Sequence, residues 1–272
     1  MGFAKQVLIL AATVFSISGY TANSNPAILF AGKEGCLIVR ELKSGRVSDV
    51  FNKKFCKERL YSCSTFKIAL AAMAFDSGVL KDEASAITWD GTQYSIDAWN
   101  HDQTAREWMK NSTVWVSQKL TPKIGETRIL EYLKRFKYGN QDFSGGVTDA
   151  WLSSTLKISA EEQVEFLRRL HLGKLGLRST AADKTVDLLP LETTSNSVRM
   201  VGKTGSGFSW EDPAHVGDGY FRIGWYTGFL RKGSQDYVFA VVFREKVGSK
   251  KVSFGGQEAK RIAVQLLTGK TP

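Results

Sequence analysis

The sequence predicts an α+β fold of sandwich-like form. One antiparallel sheet is built from both chain ends and flanked by helices, and an all-helical lobe lies between. Three observations carry this reading. Strand-like runs occur early, at 35–41 and 46–51, and again late, at 198–204, 221–231 and 236–244. Helical patterns fill the middle of the chain. No repeat, low-complexity tract or Pro/Gly-rich linker divides it, so 272 residues suit one unit with a sizeable core.

The elements follow in order. Residues 1–22 have a short basic start with Lys5, an apolar run from Val7 to Ile17, and then small and polar residues. That layout predicts a secretory signal peptide. The run is short for a membrane span, and no later stretch is apolar enough for one. No cysteine follows it to carry a lipid. Residues 23–272 then form a single catalytic unit. Residues 23–60 and 195–272 supply its sheet-containing lobe, and 61–194 a mainly helical lobe. The first two strands join at Lys43-Ser44-Gly45, a hairpin signal. From Thr65 to Phe75 the chain is apolar nearly all round, the mark of a buried central helix, and Gly78 closes it. Further helices are expected at 103–110, 125–137 and 159–172. The last opens with Ser159 and Glu162 as a capping box. An amphipathic helix over 256–268 ends the chain.

The formal charge is +10 from 37 basic and 27 acidic residues. The basic residues are scattered and no nucleic-acid-binding motif accompanies them, so no nucleic-acid partner is expected. The densest group, Arg244, Lys246, Lys250 and Lys251, reads as a solvated turn between strand and helix. Basic charge can instead draw anionic small molecules toward a cleft. Cys36, Cys56 and Cys63 lie in the first quarter of the chain. An exported protein meets an oxidising compartment, so one pair can bridge and leave an odd thiol. Cys56–Cys63 is the shortest loop and Cys36–Cys56 its competitor. The cysteines and the three histidines, His101, His171 and His215, lack metal-ligand spacing, so no metal is expected.

Chemistry concentrates at Ser64-Thr65-Phe66-Lys67. Residues three apart share a helix face. A serine hydroxyl needs a base. A lysine becomes one when apolar surroundings depress its pKa. The helix start adds N–H groups suited to an oxyanion. The four-residue pattern alone is weak, being expected about once by chance in such a chain, and Ser154-Thr155-Leu156-Lys157 also fits. The place of Ser64 at the head of a buried helix decides between them. Lys203-Thr204-Gly205 ends a strand-like run. Its lysine, hydroxyl and glycine on one strand edge can hold an anionic substrate. A P-loop is excluded: Ser197 and Val264 stand where Gly202-Lys203-Thr204 and Gly269-Lys270-Thr271 would need a glycine. Three weaker elements follow: Ser112-Thr113-Val114, Tyr138-Gly139-Asn140, which also reads as helix termination, and Trp151, which also reads as core.

This ordered set resembles the class D (oxacillin-hydrolysing) serine β-lactamases over residues 30 to about 268, nearly the whole mature chain. The resemblance implies the serine β-lactamase and penicillin-binding fold and a secreted, periplasmic enzyme that hydrolyses β-lactam antibiotics. It implies Ser64 as nucleophile and Lys67, N-carboxylated by carbon dioxide, as base for acylation and deacylation, with no other cofactor. Trp151 would hold the carbamate, and Ser112 with Lys203 would relay a proton to the ring nitrogen. The N–H groups of Ser64 and Ser206 would form the oxyanion hole, and Val114, Thr204 and Gly205 would line the substrate site. Many members bind the substrate carboxylate with an arginine near the C-terminal helix. Here that region reads Phe254-Gly255-Gly256-Gln257-Glu258-Ala259-Lys260-Arg261, and the roles of Arg261 and Gln257 are open. The mature protein is expected free of the membrane, as monomer or homodimer. The rivals are a DD-peptidase or class C enzyme, which would use Tyr138-Gly139-Asn140 but give Trp151 no role, and a receptor that is acylated without turnover. A catalytically silent relative kept for binding is a third. Class A lacks its Ser-Asp-Asn element here.

Overall fold

The computed structural model describes residues 25–195, 198–209, 221–246 and 254–269. The expected leader, His215, Lys250 and Lys251 lie outside them. In chain order the elements are α1 (Pro26–Leu29), β1 (Glu34–Glu41), β2 (Val47–Phe51), β3 (Leu60–Tyr61), α2 (Phe66–Ser77), β4 (Ala86–Ile87), β5 (Gln103–Thr104), α3 (Ala105–Asn111), α4 (Val114–Ile124), α5 (Glu126–Phe136), β6 (Lys157–Ile158), α6 (Ala160–His171), α7 (Ser179–Asp187), β7 (Leu191–Ser195), β8 (Val198–Ser209), β9 (Phe221–Lys232), β10 (Gln235–Lys246) and α8 (Gly255–Thr268). Six strands form one antiparallel sheet in the order β2-β1-β10-β9-β8-β7. The two chain ends meet at the β1–β10 pair, with Ile38 opposite Ala240.

Both faces of the sheet are covered, and the side-chain period of two divides each central strand between two cores. Leu37, Val39, Phe239, Val241 and Phe243 pack with Ile262, Ala263 and Leu266 of α8. Cys36, Ile38, Val238, Ala240 and Val242 face the helical lobe. With each strand buried on two sides, β10 reads as a continuous apolar run rather than an alternating one. At the centre of the helical lobe, α2 is buried from Phe66 through Phe75, Lys67 included. Gly78, at φ 79°, ends α2 in the left-handed conformation.

Several boundaries differ from the sequence reading. The stretch 103–110 begins as β5 and turns helical only at Ala105, because Thr104 and Glu107 form a capping box there. Strand β8 runs on to Ser209, past the glycines that seemed to end it. Helices α4 and α7 were not apparent in the sequence. The first carries Pro122 near its end, and the second buries only Ala181, Ala182 and Thr185, leaving little apolar periodicity. Arg244 is no part of a solvated turn: it lies in β10, bonded to Glu34 and 3.4 Å from Glu58.

Cys36 is joined to Cys56, with Cα atoms 5.4 Å apart, so the shorter Cys56–Cys63 loop is not the one that closes. Cys63 is free and buried. The bridge ties β1 to the segment entering the helical lobe across a separation of 20 residues. A loop of that length stabilises by about 3 kcal/mol through the unfolded chain. Replacing both partners (Cys36→Ser, Cys56→Ser) should lower the urea-unfolding free energy by about that amount. In the unreduced wild type a thiol reagent should label one cysteine, and only after unfolding; two fast-reacting thiols in the native protein would refute the pairing.

Candidate active site

The cleft lies between β8 and the helical lobe, where four segments converge. The first is the tight 3-10 turn Cys63–Thr65 that feeds α2. It places half-buried Ser64 at the helix entrance and Lys67 one turn in, with the ammonium nitrogen 3.4 Å from the Ser64 hydroxyl. Lys67 is fully buried. Burial, reinforced by the positive charge of Lys203 close by, holds its pKa well below that of an ordinary lysine. The alternative Ser-x-x-Lys falls away: Lys157 lies in β6, its amine over the Tyr61 ring.

The second segment is β8. Its pairing with β9 sets Lys203 opposite Thr227 and Ser206 opposite Gly224. Alternation turns Lys203 toward the helical lobe, where its amine donates to the Ser112 hydroxyl at 2.9 Å and to the Thr204 carbonyl at 3.0 Å. Burial pulls the Lys203 pKa down to about 7. On its other edge β8 is paired by β7 only over Val198–Val201. Backbone direction alternates along a strand. The Gly202 N–H reaches out to Pro190 and the Phe208 N–H to Ser153, so the N–H groups of Thr204 and Ser206 also point to the open edge. The Ser206 hydroxyl is engaged, accepting from the Gly256 N–H at 2.8 Å. What Ser206 presents to the cleft is backbone.

This edge reaches the nucleophile because of two glycines. A Cβ on Gly205 would stand 3.1 Å from Thr65 Cγ2, and one on Gly207 would stand 2.5 Å from Cys63 Sγ. The signal was present in the sequence as Gly205-Ser206-Gly207, but the partner surface was not.

The third segment is the α3–α4 junction. Ser112 ends α3 in the left-handed conformation (φ 58°), and Val114 begins α4, half-buried. The fourth is the loop carrying Trp151. Its indole stacks on Phe66 at 5.3 Å and on Phe143 at 6.2 Å. Its carbonyl accepts from the Cys63 N–H at 3.0 Å. Its indole N–H is buried and has no hydrogen-bond partner.

Two residues left open by the sequence are placed by their bonds. Arg261 donates to Glu258 at 2.9 Å and to Gln265 at 2.7 Å along α8, so it is committed to its own helix. Gln257 is exposed at the start of the same helix. Asn140, which a Tyr-x-Asn site would use, is spent on backbone instead: it donates to the Thr155 carbonyl at 2.8 Å and accepts from the Lys157 N–H at 2.9 Å. Tyr138 is buried against Phe66 and Phe166. Among the described residues no group of His, Cys, Asp and Glu is arranged to hold a metal, and no helix is long and apolar enough to cross a membrane.

A serine with a buried lysine of lowered pKa, a second lysine–serine pair and an open strand edge define a serine acyl-transfer site of the penicillin-recognising fold. Residues 19–268 match the penicillin-binding protein transpeptidase domain. The sequence is 37% identical to β-lactamase OXA-1 of Escherichia coli, over 96% of this chain and 94% of that protein. It is 33% identical to OXA-9 of Klebsiella pneumoniae, over 96% and 97%. Among solved structures, BPu1 β-lactamase superposes with a TM-score of 0.77 at 34% identity, covering 90% of this chain and 95% of that one. The C-terminal domain of the Bacillus licheniformis BlaR penicillin receptor gives 0.78 at 30% identity, over 90% and 94%. The chain belongs to the class D β-lactamases.

The low pKa of Lys203 has a measurable sign. Its folded value is about 7 against an ordinary 10.5. Between those limits the unfolded chain binds the extra proton, so stability rises with pH; below them the burial penalty is complete and constant. The unfolding free energy of wild type minus that of Lys203→Met should therefore climb from pH 7 toward pH 10, with a limiting slope of about 1.4 kcal/mol per unit. Urea melts across that range measure it. A flat difference would mean that Lys203 keeps its charge in the fold.

Proposed function

We propose that this protein is an exported β-lactamase that hydrolyses the β-lactam amide of penicillins and related antibiotics through an acyl-enzyme on Ser64. The observation that carries the reading is the buried Lys67 amine beside the Ser64 hydroxyl, 3.4 Å away, with its pKa held well below an ordinary lysine's by burial. The family membership gives the substrate class. The apolar run within residues 1–22 supports export to the periplasm, with no membrane attachment after the leader is removed.

An unprotonated, dehydrated amine is the form that carbon dioxide carboxylates. The Trp151 indole N–H, buried without a partner, is the donor that such a carbamate would need, so the residues fit an N-carboxylated Lys67. The carbamate would supply one base for both halves of the reaction. No other cofactor is required.

The chain's own residues then divide the work. Ser64 Oγ loses its proton toward the Lys67 end of the pocket and bonds to the β-lactam carbonyl carbon. The Ser64 and Ser206 N–H groups bind the oxygen that becomes negative. As the carbon–nitrogen bond breaks, the ring nitrogen takes the Ser112 hydroxyl proton, which neighbouring Lys203 replaces. Water then cleaves the Ser64 ester and frees the enzyme. Thr204, Gly205 and the Lys203 charge draw the substrate carboxylate to the β8 edge, and Val114 lines the opposite wall.

A second reading rests on the likeness to the BlaR1 regulatory protein of Bacillus licheniformis, 34% identical over 81% of this chain and 34% of that protein. A receptor would be acylated once and not turn over. Hydrolysis of a chromogenic cephalosporin, with acyl-enzyme mass followed in parallel, separates the two. Sustained turnover is expected; a stoichiometric burst with a stable Ser64 adduct would show a receptor.

Lys67→Ala should lower steady-state hydrolysis by about a hundredfold or more, and near-normal turnover would overturn the assignment. Trp151→Phe keeps the aromatic stack but removes the indole donor. It should slow deacylation about tenfold and acylation less, and added bicarbonate should restore part of the loss. Equal slowing of both steps, indifferent to bicarbonate, would reduce Trp151 to packing.

A further inference from the structure

A second cavity of about 540 Å³ lies in the seam between the sheet and the helical lobe, further along β8 from Lys203. Alternation along β8 turns Arg199, Val201 and Lys203 to one face, so this space continues the inter-lobe seam and does not open on the sheet's α8 side. Its floor is apolar: Val186, Leu188 and Leu189, at and beyond the end of α7, meet Val201 and Phe229. Its size falls in the range of sites that enclose a small organic ligand.

The rim is basic, and its charges are unevenly spent. Arg231 is taken by Asp236, at 2.6 and 3.0 Å. Arg106 donates to the Asp187 carbonyl at 3.0 Å. Lys110 and Arg199 are exposed on the rim, and among the described residues neither has a carboxylate within ion-pair distance. Glu107, one turn before Lys110, is committed to capping α3 through Thr104, at 2.8 Å. Glu192, in the strand next to Arg199, is held by Lys260 at 2.5 Å. Setting aside the Arg231–Asp236 pair and Arg106, which lies 3.9 Å from Glu83, two cations, Lys110 and Arg199, stand beside the single acid Asp187 across an apolar floor.

We propose that this cavity is a second ligand site, separate from the Ser64 cleft, for an amphipathic anion. Its apolar body lies on Val186, Leu188, Leu189, Val201 and Phe229, and its acid group is held by Lys110 and Arg199. Neither half of the site suffices. The floor alone would take any apolar molecule, and exposed cations alone hold small anions weakly against salt. Charge and apolar surface at one mouth select a ligand that carries both.

The probe is decanoate, with decanol and acetate as controls, titrated into the whole protein by calorimetry and by backbone amide NMR. Saturable binding of decanoate is expected, with shifts at residues 186–191, 199–201 and 229–231. Decanol should bind more weakly and acetate should not saturate. Arg199→Glu and Lys110→Glu change exposed side chains outside the catalytic machinery, so hydrolysis should be unchanged while decanoate binding falls about tenfold or more. Shifts centred on Ser64, Ser112 and Lys203 would show a substrate mimic in the cleft and overturn the proposal. So would the absence of saturable binding, equal affinity for decanol, or unaltered binding in both variants.

Discussion

The structure turns on keeping two lysine amines dry without giving either a carboxylate. Lys67 is 0% exposed and Lys203 is 2% exposed. Among the described residues no acid lies within ion-pair distance of either. An ionised amine costs several kcal/mol to bury and deprotonates instead when its partner is withheld. One acid at ion-pair distance would raise either pKa again. The apolar wrapping of α2, the Phe66–Trp151–Phe143 stack and the inward face of β8 therefore have a chemical purpose besides stability: they set the protonation state. Proximity helps at Lys67, where the charge of Lys203 lowers the pKa further after burial.

Dryness requires the walls to close tightly, and the backbone bears that cost. Six non-glycine residues among those described have positive φ, and three of them, Cys63, Ser112 and Ser153, border the cleft. Each such conformation costs about 1–2 kcal/mol for a residue with a Cβ. Ser112 is so held that its hydroxyl meets Lys203. Cys63 turns the chain sharply into α2, and Ser153 receives the Phe208 N–H at 3.1 Å. Strained backbone that borders a site is one way in which the site is held pre-organised. Gly205 and Gly207 complete the approach from the other wall.

The sheet, the buried helix and the order of the site residues were legible in the sequence because they depend on local patterns. These are apolar periodicity, a capping box, and four-residue motifs whose helical spacing is fixed. The Ser64–Lys67 pair is of this kind. The Lys203–Ser112 bond is not: its partners are 91 residues apart and meet only in the folded chain. The disulfide pairing stayed open in the sequence for a related reason. The shortest loop is favoured in a free chain, but β1 and the segment after β2 were already brought together by the hairpin. Helix α7 was missed because it buries two alanines and a threonine, so no large apolar residue marks its buried face. The two readings of Tyr138-Gly139-Asn140 could not be separated in the sequence, because motif spacing says nothing of which backbone groups lie within reach of Asn140.

The placement of these residues also bears on the rival Tyr-x-Asn site. A Tyr-x-Asn site needs its tyrosine at least partly ionised and its asparagine free to meet substrate. Burial pushes the Tyr138 hydroxyl well above its ordinary pKa, so the phenolate is less accessible here than in water. Asn140 has both ends of its amide tied to the backbone of residues 155 and 157. Through those bonds it shapes the end of the loop that carries Trp151. The same three residues that would be chemical in one branch of the penicillin-recognising fold are thus scaffolding in this one. Desolvation thus acts in opposite senses on the two kinds of group: it raises the pKa of Tyr138 and lowers those of Lys67 and Lys203.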